Sequence, residues 1–302
     1  IYIKESKMKK IGIIVLFVLL AAGTVCFLPK PAGQKTGGKL TVVTSGYVAY
    51  TLTRQLAGEL ADIVMLLPPN AEPHSFEPTP GVLVAVRQAD LFIYISDTFE
   101  PWAKDIAAGA GKNTQVVKAA GAVPASADPH VWMDFDNVRL MAKTVEEALV
   151  VQLPEQAQTL AQNLAKFNEQ LTALDDSYKK GLASCQGREV VHIGHLAFGR
   201  LAQKYGFTLT ALAGTSHDGE HSVRRLAGVV DLIKHHHIQT IFTEETLSPR
   251  LAQTVAAETG AQILPLYTVE SISKQDFDNH ITYIDLMKRN LDNLQRGLKC
   301  QA

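Results

Sequence analysis

Short apolar runs alternate with longer amphipathic segments over most of the chain. A strand-length run at Lys39–Thr44 precedes an amphipathic segment at Thr51–Ala61, and the same alternation continues towards the C-terminus. Strands that alternate with helices are typical of parallel βαβ units. Strands are predicted at Lys39–Thr44, Ile63–Leu67, Leu91–Ile95, Gln115–Val117, Glu189–Ile193, Phe207–Leu212, Ile238–Thr243 and Gln262–Leu266. Helices are predicted at Thr51–Ala61, Val82–Ala89, Phe99–Ala110, Asn137–Gln152, Leu196–Tyr205, Ser222–His236, Pro249–Thr259 and Phe277–Leu298.

One long segment, 154–184, interrupts this alternation. Pro154 suits the first turn of a helix, and an apolar residue then recurs every three or four positions, at Leu160, Leu164, Phe167, Leu171, Leu174 and Tyr178. The stripe predicts one helix, roughly 45 Å long, that ends near Gly181. We therefore expect an α/β fold in which a long rigid helix joins two parallel-sheet lobes, with the ligand site in the cleft between them. The expected divisions are an N-terminal lobe at 39–153, a linking helix at 154–186 and a C-terminal lobe at 187–302.

The first 38 residues have a different character. Met8-Lys9-Lys10 precedes a largely apolar run, Ile11–Leu28, and then a Pro/Gly/Lys linker at Pro31–Gly38. A basic segment before an apolar run is the pattern of a secretory signal peptide. The length of the run is also close to that of the shortest membrane span, so an uncleaved membrane anchor is an alternative. Lipidation at Cys26 is a second alternative. In each case we expect the folded part to be periplasmic or extracytoplasmic and membrane-associated.

Charge and cysteine content narrow the function classes. The 29 basic and 30 acidic side chains give a net charge of −1, so no basic excess points to nucleic acid. Cys185 precedes a predicted strand and Cys300 ends the last predicted helix. We hypothesise that these two cysteines form a disulfide, as a pair can in an oxidising compartment.

Three of the ten histidines lie in loops near predicted strand ends. His74 and His130 stand in proline-stiffened loops of the first half, and His195 follows the strand Glu189–Ile193. A single loop histidine is ordinarily a solvated surface residue, but these three would face one cleft if the sheets are parallel. The others have simpler interpretations. His192 is expected to pack within a strand, His280 to lie at the surface and His235–His237 to end a helix, while His217 and His221 are either auxiliary metal ligands or part of a solvated loop.

The segments around these three histidines resemble the motifs of one family. Pro-His-Ser-Phe-Glu-Pro-Thr-Pro at 73–80, Asp-Pro-His-Val-Trp-Met-Asp at 128–134 and His-Leu-Ala-Phe at 195–198 are similar to motifs of the cluster A-I metal-binding proteins of ABC importers. The resemblance extends over about residues 39–299 and includes Glu100-Pro101-Trp102, Ile241–Glu244 and Tyr283–Leu291. It implies two α/β lobes joined by a rigid helix.

The resemblance also implies a set of metal ligands. The motif histidines correspond to His74, His130 and His195, and the fourth ligand of the family, a carboxylate after the last strand, corresponds to Glu270. Glu244, at the end of the predicted strand Ile238–Thr243, is the competing carboxylate; it is otherwise a partner that supports a ligand, or a structural acid. Some zinc-binding members carry a long histidine-rich loop, whereas the stretch Gly121–Ala127 here is short and contains no histidine.

The implied function is capture of Zn²⁺ by a solute-binding protein, expected to be a monomer, that delivers the ion to a membrane permease. Three imidazoles and one carboxylate suit Zn²⁺, whereas Mn²⁺ favours more oxygen ligands, and manganese-binding members use a carboxylate where this chain has His195. A manganese- or iron-binding member is therefore the alternative within the family. A zinc-dependent hydrolase is the alternative from another class, but the chain has no His-Glu-x-x-His or Gly-x-Ser-x-Gly motif. We expect no enzymatic activity.

Overall fold

The computed structural model describes residues 39–215, 223–244 and 248–301, and these contain two four-stranded parallel sheets. The first has the order β2-β1-β3-β4 and consists of β1 (Leu40–Thr44), β2 (Ala61–Met65), β3 (Leu91–Tyr94) and β4 (Gln115–Lys118). The second has the equivalent order β6-β5-β7-β8 and consists of β5 (Glu189–Ile193), β6 (Thr208–Ala211), β7 (Thr240–Thr243) and β8 (Gln262–Pro265). The two parallel sheets expected from the alternation are confirmed.

Helices connect and cover these strands. They are α1 (Tyr47–Ala57), α2 (Pro80–Gln88), α3 (Pro101–Ala108), α4 (Phe135–Gln152), α5 (Ala157–Ala183), α6 (Gly199–Tyr205), α7 (Val223–His235), α8 (Arg250–Thr259), α9 (Lys274–Asp278) and α10 (Tyr283–Gly297). None of the helices in the described ranges combines the length and the apolar character needed to cross a membrane.

The long helix α5 connects the two lobes. It follows a 3-10 turn at Pro154–Gln156, and its 27 residues give it a length of about 40 Å. The apolar stripe read from the sequence is its buried face, which packs against α1 and α4 of the first lobe and α10 of the second. A helix that shares its packed face with both lobes resists their separation, since separation would expose that face. The residues at which each lobe begins and ends stay a prediction.

The C-terminal segment differs from the single helix predicted at Phe277–Leu298. It contains the short helix α9, a break and then α10. His280 adopts a left-handed backbone conformation, with φ of 55°. Thr282 then caps α10 through a reciprocal capping box with Asp285. The periodic pattern continued through the break because Phe277 and Ile281 both pack against the core, so periodicity alone did not reveal it.

The hypothesised disulfide is present. Cys185, just after α5, is bonded to Cys300, just after α10, across a sequence separation of 115 residues. It therefore fastens the end of the connecting helix to the end of the last helix.

We predict that the double substitution Cys185→Ser and Cys300→Ser lowers the free energy of unfolding by about 2–5 kcal/mol, because the unfolded chain is freed from a long closed loop. Urea unfolding of the metal-free protein measures the difference. Wild-type protein unfolded with a reductant should match the double variant. Equal stability of oxidised wild type and double variant would contradict the prediction.

Candidate metal centre

The loops that follow the strands bring chemically active side chains to one place. His74 lies between β2 and α2, and His130 lies between β4 and α4. His195 follows β5 by two residues, and Glu270 follows β8 by five. Since all strands of each sheet are parallel, these loops leave the carboxyl edges of the two sheets, where ligands bind in open α/β folds.

These four side chains converge on one point. The Nε2 atoms of His195, His130 and His74 lie 3.3, 3.5 and 3.6 Å from Oε2 of Glu270. The Nε2 atoms of His130 and His195 are 3.0 Å apart, and the ligand atoms of the group all lie within 4.8 Å of one another. His130 and His195 are fully buried, Glu270 is 3% exposed and the His74 side chain is 10% exposed. The residues predicted from the sequence are therefore brought together in a pocket that is almost closed to solvent.

The separations suit a tetrahedral ion. Zinc bound at 2.0–2.2 Å from each nitrogen or oxygen places its ligand atoms about 3.3 Å apart. The four separations of 3.0–3.6 Å within the cluster are close to that value. In addition, His74 Nε2 is buried and makes no hydrogen bond to the described residues. A buried nitrogen is ordinarily satisfied, so its position here fits a metal ligand.

The His130 loop is fixed by hydrogen bonds on both sides of the histidine. Oδ1 of Asp128 accepts hydrogen bonds from the backbone N–H of His130 at 3.0 Å and from its Nδ1 at 2.9 Å. Two residues further on, the buried Trp132 donates from Nε1 to the carbonyl of Thr268, at 2.8 Å, in the other lobe. The carbonyl of Trp132 accepts from the hydroxyl of Tyr283 at 2.7 Å. The ring of His130 is consequently held with Nε2 towards the cluster.

The Glu270 loop is held in a strained conformation. Val269, fully buried, has a φ of 64°, which is rare for a β-branched residue. On its N-terminal side, the side chain of Asn290 accepts from the backbone N–H of Tyr267 at 2.7 Å and donates to its carbonyl at 2.8 Å. Together with the Trp132 bond to Thr268, these contacts fix the backbone that aims Glu270 inward. Strain of this kind persists only where the surroundings determine the conformation.

The His74 loop is held from one side by aromatic residues. Trp102 donates from Nε1 to the carbonyl of Pro73 at 2.8 Å, and its ring packs on Phe76. The ring of Phe99 meets the His74 ring edge-on, with the centroids 4.9 Å apart. Trp102 of the Glu100-Pro101-Trp102 motif thus helps to hold this loop in place.

Carboxylates favour a positive charge within the cluster. Burial opposes protonation of His195, but Glu270 and Glu244 outweigh it and raise its pKa to about 10. Burial likewise opposes protonation of His130, where hydrogen bonds to Asp128 and Glu270 raise the pKa. The same carboxylates would stabilise a metal cation, so proton and metal compete for one position.

The structure separates the two candidate carboxylates. Glu270 lies in the cluster, whereas Glu244 lies behind His195 and accepts a hydrogen bond from its Nδ1. His217 and His221 lie outside the described residues. Sequence reasoning assigned no role to Asp128, Trp132 or Asn290. Asp128 and Trp132 stand within the His130 motif and Asn290 stands within the Tyr283–Leu291 motif, which was a usable signal, but the motifs did not indicate which backbone groups these side chains contact.

Comparison with known proteins gives consistent similarities. Residues 42–297 match the ZnuA family, described as "Zinc-uptake complex component A periplasmic". The high-affinity zinc uptake system protein ZnuA of Bacillus subtilis is 32% identical, over 94% of this chain and 97% of the relative. The zinc-binding lipoprotein AdcA of Streptococcus pneumoniae is 31% identical over 96% of this chain, which spans 61% of AdcA. The crystal structure of the Zn(II)-bound ZnuA-like domain of AdcA superposes with a TM-score of 0.76 at 32% identity, covering 86% of this chain and 99% of that one.

Proposed function

The chain belongs to the ZnuA family of zinc-uptake components, and we propose from this premise that it captures Zn²⁺ outside the cytoplasm for an ABC importer. It is the solute-binding component of the system, and the ion is its cargo. The partner that receives the ion is the membrane permease. The protein acts as a monomer and binds no nucleic acid.

The observation that carries this proposal is the convergence of His74, His130, His195 and Glu270. Their three imidazole nitrogens and one carboxylate oxygen act as the four ligands of the ion. This donor set suits zinc, and four of the six separations within the cluster, at 3.0–3.6 Å, suit tetrahedral coordination. Manganese prefers more oxygen ligands and a higher coordination number. Among the described residues, the cluster supplies one carboxylate and three imidazoles.

The ligand count also argues for transport rather than hydrolysis. A catalytic zinc site keeps one coordination position for water, whereas a site with four protein ligands is closed. Glu270 supplies the fourth ligand within 3.6 Å of each histidine Nε2. No coordination position is then left for water, so the bound zinc has no water molecule to activate as a nucleophile.

Capture and release follow from the competition between zinc and protons. In the metal-free protein, protons on the histidines offset the charge of Glu270, and zinc displaces them when it binds. Binding then changes loop order or the relative pose of the lobes, within the limit set by α5. The permease recognises the loaded form and opens the cleft.

We predict that His130→Ala and Glu270→Ala each weaken zinc binding by at least about 100-fold, because each removes a ligand and loss of a mere supporting contact already costs 10–100-fold. Competition with a chromophoric chelator measures the affinity. Elemental analysis of protein purified without added metal should find about one zinc per wild-type chain and little in either variant.

His236→Ala is the matched control. This half-exposed histidine donates to Glu189 at the start of β5, far from the carboxyl edge of the sheet, so its loss should leave zinc affinity unchanged. Wild-type affinity in His130→Ala would remove that residue from the site. Loss of binding in all three variants would point to general damage instead.

We further predict that zinc affinity falls steadily as the pH is lowered from about 9 to 5. The raised pKa of His195, about 10, means that the metal-free site holds a proton throughout this range. Each displaced proton costs about tenfold in apparent affinity per pH unit. Titration calorimetry at pH 7.5 in two buffers of different ionisation enthalpy should show at least one proton released per zinc. Constant affinity from pH 9 to 5 with no proton release would contradict the prediction.

A further inference from the structure

Glu244 follows β7 directly and reaches His195 from the side opposite the cluster. Its side chain is fully buried, and Oε1 accepts hydrogen bonds from the backbone N–H of His195 at 2.7 Å and from Nδ1 of the ring at 2.8 Å. One oxygen therefore fixes the ring relative to its own backbone. Because Nδ1 donates its hydrogen to Glu244, the lone pair of the neutral ring is on Nε2, the atom that faces Glu270 and His130.

Asp128 holds His130 by the same arrangement. A single carboxylate oxygen again accepts from the backbone N–H and from Nδ1, at 3.0 and 2.9 Å. The two carboxylates come from different lobes, yet they produce the same tautomer in two neighbouring rings. This repetition indicates that the arrangement serves the cluster and not merely the packing of one loop.

Gly194 supplies the space that Glu244 occupies. A Cβ atom at this position would overlap Oε1 of Glu244 and would lie 2.7 Å from Cε1 of His192. Both neighbours are buried, so neither can move aside into solvent. The contact between Glu244 and His195 thus needs both the carboxylate of Glu244 and a residue without a side chain at position 194.

We propose that Glu244 is a positioning residue for zinc capture, which fixes the tautomer and orientation of His195, and that Gly194 is the residue that admits it. The proposal rests on the zinc-binding function proposed above. Carboxylates that accept from the outer nitrogen of a ligand histidine typically contribute 10–100-fold to metal affinity.

Three variants test the contact from both sides. Glu244→Ala removes the acceptor and should weaken zinc binding about 100-fold, whereas Glu244→Gln keeps an acceptor oxygen without the charge and should lose about tenfold. Gly194→Ala leaves every ligand and Glu244 itself in place but displaces the carboxylate, so it should weaken binding by at least tenfold. The d–d spectrum of bound Co²⁺ should change in Glu244→Ala and Gly194→Ala, because it reports the geometry of the ligands.

Matched substitutions elsewhere separate positioning from general damage. Glu146→Gln removes another buried carboxylate, which pairs with Lys143 on α4, and Gly228→Ala adds a methyl group on α7 where no atom lies within 4 Å. Both should bind zinc as wild type does. The double variant Gly194→Ala/Glu244→Gln should bind no more weakly than the weaker single variant, since both changes break one contact, whereas unrelated structural defects would add.

The outcomes distinguish this inference from the proposed function. The positioning role alone would be overturned if Glu244→Ala and Gly194→Ala, both folded, kept wild-type zinc affinity and an unchanged Co²⁺ spectrum while His130→Ala lost binding. Additive losses in the double variant would also overturn it. Absence of zinc binding in the wild-type protein would remove the proposed function itself.

Discussion

The Nε2 atoms of His130 and His195 lie 3.0 Å apart, beside a buried carboxylate oxygen of Glu270, so a proton or a metal ion between them relieves the repulsion between their electron pairs. Asp128 and Glu244 reinforce this repulsion. Each accepts a hydrogen bond from Nδ1 of a ring, so that the lone pair of the neutral ring is on Nε2 and points into the cluster. A proton or a metal ion satisfies the cluster. The raised pKa values of both histidines express the same preference in the metal-free state.

Much of the surrounding fold keeps these atoms in place against that repulsion. The two sheets have the same strand order, and the loops at their carboxyl edges supply the proposed ligands from both lobes. Trp132 connects the edges directly, since it donates to Thr268 and accepts from Tyr283. The strained backbone at Val269 is tolerated because the Trp132 bond to Thr268 and the Asn290 bonds to Tyr267 fix the two residues that precede it. Local strain and interlobe hydrogen bonding thus serve one purpose, which is a pocket formed before the ion arrives.

Most of the fold could be predicted from the sequence, but fewer of the contacts that hold the site in place. Alternation of apolar runs predicted parallel sheets, and the stripe from Leu160 to Tyr178 predicted α5, because both follow from which faces are buried. Periodicity missed the break before α10, which depends on the local capping of Thr282. Periodicity could not choose between Glu244 and Glu270 either, whereas the resemblance of the motifs favoured Glu270. Both follow strands of the same sheet, and only the backbone path after β8 decides which carboxylate faces the cluster.

The buried contacts between the lobes bear on how an ion can leave. Separating the lobes would exchange the bonds of Trp132 to Thr268 and Tyr283 for bonds to water, at a net cost of about 0.5–1.5 kcal/mol for each. It would also expose the apolar face of α5. His74, in contrast, has the most exposed side chain of the four proposed ligands, and the hydrogen bond from Trp102 holds its loop from within its own lobe. Displacement of His74 alone would leave the hydrogen bonds of Trp132 and the buried face of α5 intact. Of the four proposed ligands, His74 is thus the one whose displacement disturbs the contacts between the lobes least.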